Sequence, residues 1–236
     1  MAVAVPARVW GRVPPRPWEL AAAVALALVA GPGRLVDEAA HRSLAVHMGV
    51  QHWLLAGAGA LGAWALFGRP GQRRGPVEGG WRARPPTPGS RAGPARALAL
   101  AGLVTVLVWH VPALFGWAVA NPLPHGLMHL SYLGAGAAAA WALPRLPPFE
   151  RVLVVLGGAA LMGPLSLAML AGVLTYPGYG VGEAPAAGVA MLVAMQVAWV
   201  GVALAPAAGR MWGRSRALRL AVLVVLVLAA VAGFVK

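Results

Sequence analysis

Seven apolar segments, separated by polar breaks, are the feature that most limits what this chain can fold into. They cover residues 18–36, 43–67, 97–120, 125–143, 152–175, 185–207 and 217–235. A helix needs roughly 20 consecutive apolar residues to cross the bilayer core, and each segment is long enough to do so. Of the 236 residues, 60% are hydrophobic and 11% are charged, whereas soluble domains carry about 25% charged residues. The sequence therefore predicts an all-α fold, a polytopic integral membrane bundle of about seven transmembrane helices that forms one membrane domain over residues 1–236.

The longest break covers residues 69–96 and reads RPGQRRGPVEGGWRARPPTPGSRAGPAR. Its high content of Pro, Gly and Arg is typical of a flexible basic loop. The other breaks are short and fit hairpins between antiparallel helices.

The basic residues are distributed unevenly over these breaks. The net charge is +13, and 16 of the 19 basic residues lie before the first segment, in the break 69–96, between the fourth and fifth segments, or before and at the start of the seventh. Alternating helices would place all of these breaks on one side of the membrane. The positive-inside rule makes that side cytoplasmic, together with the N-terminus. The asymmetry explains the charge without a nucleic-acid partner, and membrane lipids are the expected partners of the basic loop.

The first segment has an alternative interpretation. Its apolar run is interrupted by Gly31-Pro32-Gly33, follows an Arg-bearing lead and ends in small residues. Such a segment is also compatible with a secretory signal. Cleavage would leave six helices and would keep every later loop on the same side.

Two segments contain stretches of small residues. GAGALGAW occupies residues 57–64 and GAGAAAAW occupies residues 134–141. Small residues at this density let helix backbones approach closely in a membrane. The second and fourth segments are therefore expected to pack as neighbours.

Six histidines fall in the outer half of the predicted topology, and none falls in the cytoplasmic half. They are His41, His47, His52, His110, His125 and His129. At a rise of 1.5 Å per residue, His47 and His52 lie about 6 and 14 Å into the second helix. The spacing of His125 and His129 places them on one helix face with Met128 nearby, and Met48 shares a face with His52. An ideal α-helix separates His47 from His52 by about 140°, so these two need not bind the same ligand.

Ionisable groups inside a bilayer are costly, and a functional site is the default interpretation. A purely structural role remains an open alternative for each of the histidines and for the two methionines. An intramembrane histidine often forms hydrogen bonds between helices, and His110 is close enough to Pro112 to bind a carbonyl freed by that proline. His41 is compatible with a solvated loop residue, His125 with a polar residue at a helix start, and Met48 and Met128 with ordinary core residues.

The residue types favour a metal over a catalytic centre. The chain has no cysteine, which excludes disulfides, thiolate sites and Fe–S clusters. Imidazole suits Zn, Cu, Fe and Ni, thioether favours Cu(I), and copper heads the divalent affinity order. The acids Asp37, Glu38 and Glu183 lie only at the outer rim, and no nucleophile triad or nucleotide motif is visible. We therefore expect a protein that is not an enzyme. The candidate metal ligands are His47, Met48, His52, His110, His125, Met128 and His129.

Three stretches together resemble the CtaG-type cytochrome c oxidase assembly factors: HMGVQH, WHVPALFGWAVANPLPHGLMHLSY and GPLSLAMLAGVLTYPGY. The resemblance covers roughly residues 40–205. It implies a multi-pass protein of the plasma membrane that delivers copper from the outer face to a subunit of a haem–copper oxidase. The residues that match the family's motifs are His47, Met48, Gln51, His52, Trp109, His110, His125 and His129.

The chain departs from the family pattern at two places. Met128 stands where the family usually has an acid, and GEAPAAGVAM stands where it usually has an Asp-Gln pair. Glu183 is the candidate substitute. In a copper-delivery protein, Gln51, Ser131 and Tyr132 are expected to orient the imidazoles.

Two other functions fit parts of the pattern. In a membrane cytochrome or oxidase-associated subunit, His52 could face His110 or His129 across a haem b, although five histidines near one depth exceed the need of one haem. A copper transporter would need broken helices near the midplane. Gly163-Pro164 is the only central break in the sequence, and no inverted repeat is visible.

Overall fold

In the computed structural model, which describes residues 17–31, 34–67 and 92–194, the chain is built from helices that are joined by short turns, except for a longer loop over residues 171–182. No strand occurs in these ranges, so the predicted all-α class is confirmed for them. The helices are α1 (Pro17–Ala30), α2 (Arg34–Arg42), α3 (Leu44–Val46), α4 (His52–Phe67), α5 (Ala92–Trp109), α6 (Pro112–Ala120), α7 (Pro122–Ala142), α8 (Pro148–Leu170) and α9 (Glu183–Ala194). A π-helical turn, His47–Gln51, joins α3 to α4. The seventh apolar segment and the second half of the sixth lie outside the described residues.

Two of the described helices, α5 and α8, are long and apolar enough to cross a membrane. Their most apolar 18-residue windows have mean hydropathies of 1.6 and 2.1, and only 17% and 11% of those windows are buried inside the bundle. Side chains such as Leu100, Val104, Leu156 and Leu167 therefore point away from the protein core. The seven-span bundle stays a prediction.

The third apolar segment, expected as one helix over residues 97–120, consists of the two helices α5 and α6. The break falls at Val111, whose φ of −70° and ψ of 120° are extended. Proline disfavours the helical conformation in the residue before it and fits the first position of a new helix, and Pro112 does both here. The Tyr176 hydroxyl donates to the His110 carbonyl at the break (2.7 Å).

Close packing of α4 against α7 confirms the expectation drawn from the small-residue stretches. A β-carbon on Gly136 would lie 2.6 Å from the carbonyl carbon of Ala56, and one on Gly59 would lie 2.7 Å from that of Leu133. The two backbones therefore touch at two reciprocal points. Helix α1 packs on the same helix α4, and α5 packs on α7.

Basic residues gather at one end of the bundle. The Arg96 guanidinium near the start of α5 donates to both carboxylate oxygens of Glu150 near the start of α8, at 2.6 and 2.8 Å. Arg145 and Arg151 donate to backbone carbonyls at the turn between α7 and α8. Arg96 belongs to α5 because that helix begins at Ala92, so the last five residues of the predicted loop 69–96 are helical. The rest of that loop lies outside the described residues.

The opposite end of the bundle holds the larger core and the histidines. Helix α8 ends at Leu170, before Gly172 with its φ of +69°, so it is shorter than the predicted segment 152–175. Helix α9 follows and contacts the end of the bundle that holds the histidines. A β-carbon on Gly49 would lie 2.6 Å from the Ala190 side chain, so α9 packs directly against the π-helical turn.

Candidate metal centre

The side chains of His47 and His52 face each other because a π-helical turn, His47–Gln51, separates them. The His52 amide donates to the His47 carbonyl, which is the five-residue pairing of a π-helix. Because this turn is wider than an α-helical one, the two imidazoles lie on the same side, with ring centroids 5.0 Å apart. The expected separation of about 140° assumed an α-helix and is wrong for this reason. Single π-helical turns within α-helices occur frequently at functional sites.

Helix α7 contributes His125 and His129 from one face, as their spacing predicted. Their ring centroids lie 4.3 Å apart. Because α7 begins at Pro122, His125 lies in the first helical turn and does not open the helix.

Packing of the π-helical turn beside α7 brings His47, His125 and His129 together; we call this group the histidine triad. One nitrogen from each ring lies within 4.8 Å of the other two. The ring centroid of His47 lies 5.6 Å from that of His125 and 6.5 Å from that of His129. The Nε2 atoms of all three are buried and have no hydrogen-bond partner within the described part of the chain.

Tyr179, in the loop between α8 and α9, determines which nitrogen of His47 carries the proton. Its hydroxyl donates to the Ala40 carbonyl at 2.9 Å and lies 2.7 Å from His47 Nδ1. A hydroxyl has one proton, and a carbonyl can only accept, so His47 Nδ1–H donates to the Tyr179 oxygen. Burial, followed by the nearby carboxylates of Asp37 and Glu183, raises the pKa of the Tyr179 hydroxyl above its usual value. His47 Nε2 therefore keeps a free lone pair, as a metal ligand requires.

His41 lies on α2 and not in the loop that the sequence suggested. Its Nδ1–H donates to the Asp37 carbonyl one turn earlier at 2.7 Å, and Glu38 forms an ion pair with Arg42 on the same short helix (3.5 Å). These i,i+4 contacts stabilise a helix where the polar sequence DEAAHRS favoured a loop. Asp37, His41 and His125 form a second group in which one ligand atom from each lies within 4.8 Å of the others.

His52 and His110 lie deeper and are not part of either group. The His52 ring stacks on Tyr132 with centroids 3.9 Å apart, and both of its nitrogens are buried without a hydrogen-bond partner in the described ranges. The His110 ring lies 5.8 Å from it. His110 Nδ1–H donates to a backbone carbonyl, as the structural alternative expected, but the acceptor is Val106, at 2.7 Å. The carbonyl that Pro112 leaves without its helical donor is that of Val108, and it accepts from the Val111 amide.

A largely apolar cavity of about 260 Å³ lies beside His52 and His110. Met48, Met162 and Met191 line it, so Met48 and His52 face the same cavity. Met128 is fully buried in the main hydrophobic core. Its position fits the core interpretation that the sequence left open.

The residues expected to orient the imidazoles take different partners. Gln51 donates to the Ala30 carbonyl and to Asp37 Oδ1. Ser131 accepts from Trp109 Nε1 at 2.6 Å and donates to the Met128 carbonyl. Among the three, only Tyr132 contacts imidazoles, through its stacking on His52 and a 3.3 Å approach of its hydroxyl to His110 Nδ1.

Glu183, the candidate substitute for the acid of the family pattern, binds the start of α3. One carboxylate oxygen accepts from the Leu44 amide at 3.2 Å and from the Ser43 hydroxyl at 3.4 Å. It is therefore the acceptor for the first amides of that helix. Asp37 is instead the acid beside the imidazoles, at 4.0 Å from His125 Nε2. Apart from its place in DEAAHRS, no sequence pattern pointed to it.

Comparison of the chain with models of protein families, with curated proteins and with solved structures finds no match. The resemblance to the CtaG-type assembly factors stays a prediction that rests on the three quoted stretches.

Proposed function

We propose that this protein binds a copper ion at the histidine triad and delivers it to a subunit of a haem–copper oxidase. The observation that supports the proposal most strongly is the convergence of His47, His125 and His129, which bring one nitrogen each within 4.8 Å of the other two and whose Nε2 atoms are buried and unpartnered within the described residues. A buried polar atom without a hydrogen bond costs about 1–3 kcal/mol. A bound ion would satisfy all three nitrogens at once.

The spacing of the triad suits a single ion. Two nitrogens that each lie about 2.0–2.1 Å from one ion are at most about 4.2 Å apart. The triad nitrogens lie within 4.8 Å of one another, so small side-chain rotations are sufficient. The Tyr179 contact supports the same function, because metal-binding histidines usually donate their other N–H to a fixed acceptor.

The donor set favours copper. Imidazole binds copper well, and copper heads the affinity order among divalent ions. The triad consists of neutral imidazoles whose Nε2 atoms are buried, so a singly charged ion is easier to accommodate there than a doubly charged one. Cu(I) meets this condition, and the chain has no cysteine to compete for it.

The proposed location is a multi-pass bundle of seven helices in the plasma membrane. The mostly unburied apolar surfaces of α5 and α8 support insertion into lipid. Arg96, Arg145 and Arg151 lie at the end of the bundle opposite the triad. By the positive-inside rule that end faces the cytoplasm, and the triad then lies toward the outer side.

The proposed role is that of a carrier and not of an enzyme. The triad presents three neutral ligands, and its three unpartnered nitrogens suit the holding of an ion more than a reaction. The oxidase partner comes from the resemblance to the assembly factors, and membrane lipids surround the bundle. The copper-transporter alternative receives no specific support from the described residues.

The test is to purify the full chain in detergent, record its visible spectrum and measure bound metals in the same sample. Copper near one equivalent in a protein without a Soret band is the expected result. A Soret band with stoichiometric iron would contradict the proposal and would support the haem b alternative. The histidine pair to examine for haem would then be His52 and His110.

Replacement of Tyr179 by phenylalanine is expected to weaken Cu(I) binding by about 10–100-fold, the range found when a residue that orients a metal ligand is removed. His47 would lose the acceptor that holds its proton on Nδ1. Competition with a chromogenic Cu(I) chelator measures the effect.

Tyr176→Phe is the matched control, because this tyrosine lies in the same loop but donates to the His110 carbonyl. It should leave the affinity unchanged. Equal losses in both variants would mean that the loop matters only for folding.

A further inference from the structure

We infer that Asp37, His41 and His125 form a second, more exposed metal position that shares His125 with the triad, and that the ion enters and leaves the triad through it. The inference rests on the proposed function, since it describes the route of the same ion. We call this group the outer position. One ligand atom from each of its residues lies within 4.8 Å of the others.

The hydrogen bonds around the outer position leave an unused lone pair on each of its residues. His41 Nδ1–H donates to the Asp37 carbonyl at 2.7 Å, so a neutral His41 keeps its lone pair on Nε2. Asp37 Oδ1 accepts from the Gln51 amide at 3.1 Å and lies 4.0 Å from His125 Nε2. The carboxylate is thereby held between the surface and the shared imidazole.

Exposure falls from His41 through Asp37 and His125 to His47 of the triad. The side chains of His41, Asp37 and His125 are 41%, 30% and 11% exposed, and His47 is fully buried. A hydrated ion or a chelator can therefore reach His41 and Asp37 but not His47. The order of exposure gives the direction of the route.

The charges of the two groups differ in a way that fits loading. The outer position includes the carboxylate of Asp37, which attracts a cation from solution. The triad is composed of neutral imidazoles alone. The ion would first meet a ligand that offsets its charge and would then pass to ligands that suit a soft, singly charged ion.

The shared residue makes the transfer a ligand exchange. The ring of His125 lies 5.0 Å from that of His41 on one side and 4.3 Å from that of His129 on the other. The ion keeps its bond to His125 Nε2, breaks its bonds to Asp37 and His41, and forms bonds to His47 and His129. Its oxidation state does not change. One nitrogen cannot bind two ions, so the two positions are alternatives and one chain holds one copper.

The test measures release of copper from the full chain in detergent after loading with one equivalent of Cu(I). A hydrophilic Cu(I) chelator in excess gives the release rate, and competition at equilibrium gives the affinity. Asp37→Asn and His41→Ala should each slow release by about tenfold or more, a size comparable with the loss of a residue that supports a metal ligand. Their equilibrium affinities should stay at the wild-type value.

Glu38→Gln is the matched control. It removes one negative charge from the same helix, and Glu38 is paired with Arg42 and is not part of the outer position. Its release rate should equal that of the wild type. A similar slowing in Glu38→Gln would overturn the inference, because a general charge effect would then explain the result.

Wild-type release rates in both Asp37→Asn and His41→Ala would also overturn the inference. Two coppers bound per chain would overturn it as well, and so would a loss of equilibrium affinity for Cu(I) in the same two variants. If Asp37→Asn fails to fold because its contact with Gln51 is altered, the half-exposed His41→Ala decides alone. A wild-type protein that retains no copper would contradict the proposed function itself. The two failures are therefore distinguishable.

Discussion

Replacement of His129 by alanine is expected to lower the affinity for Cu(I) by on the order of 100-fold, which is about 2.8 kcal/mol. The triad offers three imidazole nitrogens within 4.8 Å of one another, and the variant would leave two. The nearest acid, Asp37, is 4.0 Å from His125 Nε2 and is not a member of the triad. The loss should therefore exceed the effect of removing a residue that only orients a ligand.

Competition with a chromogenic chelator measures this affinity, and His110→Ala is the matched control. His110 is also a buried histidine, but its ring lies beside His52 and its Nδ1–H donates to the Val106 carbonyl. This variant should keep one copper per chain with wild-type affinity. If His110→Ala loses the metal while His129→Ala retains it, the ion binds at the cavity and not at the triad.

Replacement of Gly136 by alanine is expected to destabilise the protein by about 3 kcal/mol, at the upper end of the usual cost of overpacking. The new β-carbon would lie 2.6 Å from the carbonyl carbon of Ala56. The atoms that the new β-carbon meets belong to the backbone of Ala56, so no side-chain rotation can relieve the clash. Helices α4 and α7 must therefore move apart. The reciprocal variant Gly59→Ala, facing Leu133, should behave in the same way.

Thermal unfolding in detergent checks this result, and a loss of that size corresponds to roughly 6–12 °C for a chain of this length. Gly134→Ala and Gly57→Ala are the matched controls, because a β-carbon at either position meets no atom within 4 Å. Alanine favours a helix over glycine by roughly 0.5–1 kcal/mol, so the controls should be neutral or slightly stabilising. Equal behaviour of Gly134→Ala and Gly136→Ala would show that α4 and α7 do not touch there.

Loss of the α4–α7 contact should also disturb copper binding. His125 and His129 lie on α7, and His47 precedes α4 in one nearly continuous helical segment. Because the triad joins these two segments, its geometry depends on their separation. In contrast, His129→Ala should lose copper while it keeps a wild-type unfolding temperature.

Local patterns in the sequence were sufficient to predict several features of the fold and of the site. Apolar length predicted the helices, Pro and Gly predicted most of the breaks, and the i,i+4 spacing placed His125 and His129 on one face of α7. The small-residue stretches predicted that α4 and α7 are neighbours. Each of these depends on backbone periodicity or on residue size, which are properties of short stretches of chain.

Other features could not be predicted from short stretches. The π-helical turn places the side chains of His47 and His52 on the same side of the helix, where an α-helix would have separated them. Within this turn, Gly49 packs against α9. The break at Val111 divided one apolar segment into two helices, because proline restricted its preceding residue more strongly than apolar content favoured continuity. The length of an apolar segment does not show whether the segment forms one regular α-helix, contains a π-helical turn or divides into two helices.

The sequence by itself was sufficient to predict that residues 17–31, 34–67 and 92–194 are mainly helical, that the histidines lie at one end of the bundle and that no thiolate chemistry is available. The tertiary structure decided which histidines meet. His47 and Tyr179 are 132 residues apart, yet Nδ1 of His47 lies 2.7 Å from the Tyr179 hydroxyl. Asp37 on α2 lies 4.0 Å from His125 on α7, although the two residues are far apart in the sequence. Helical periodicity fixes the direction of a side chain over a few turns, but contacts between distant segments depend on how whole helices pack.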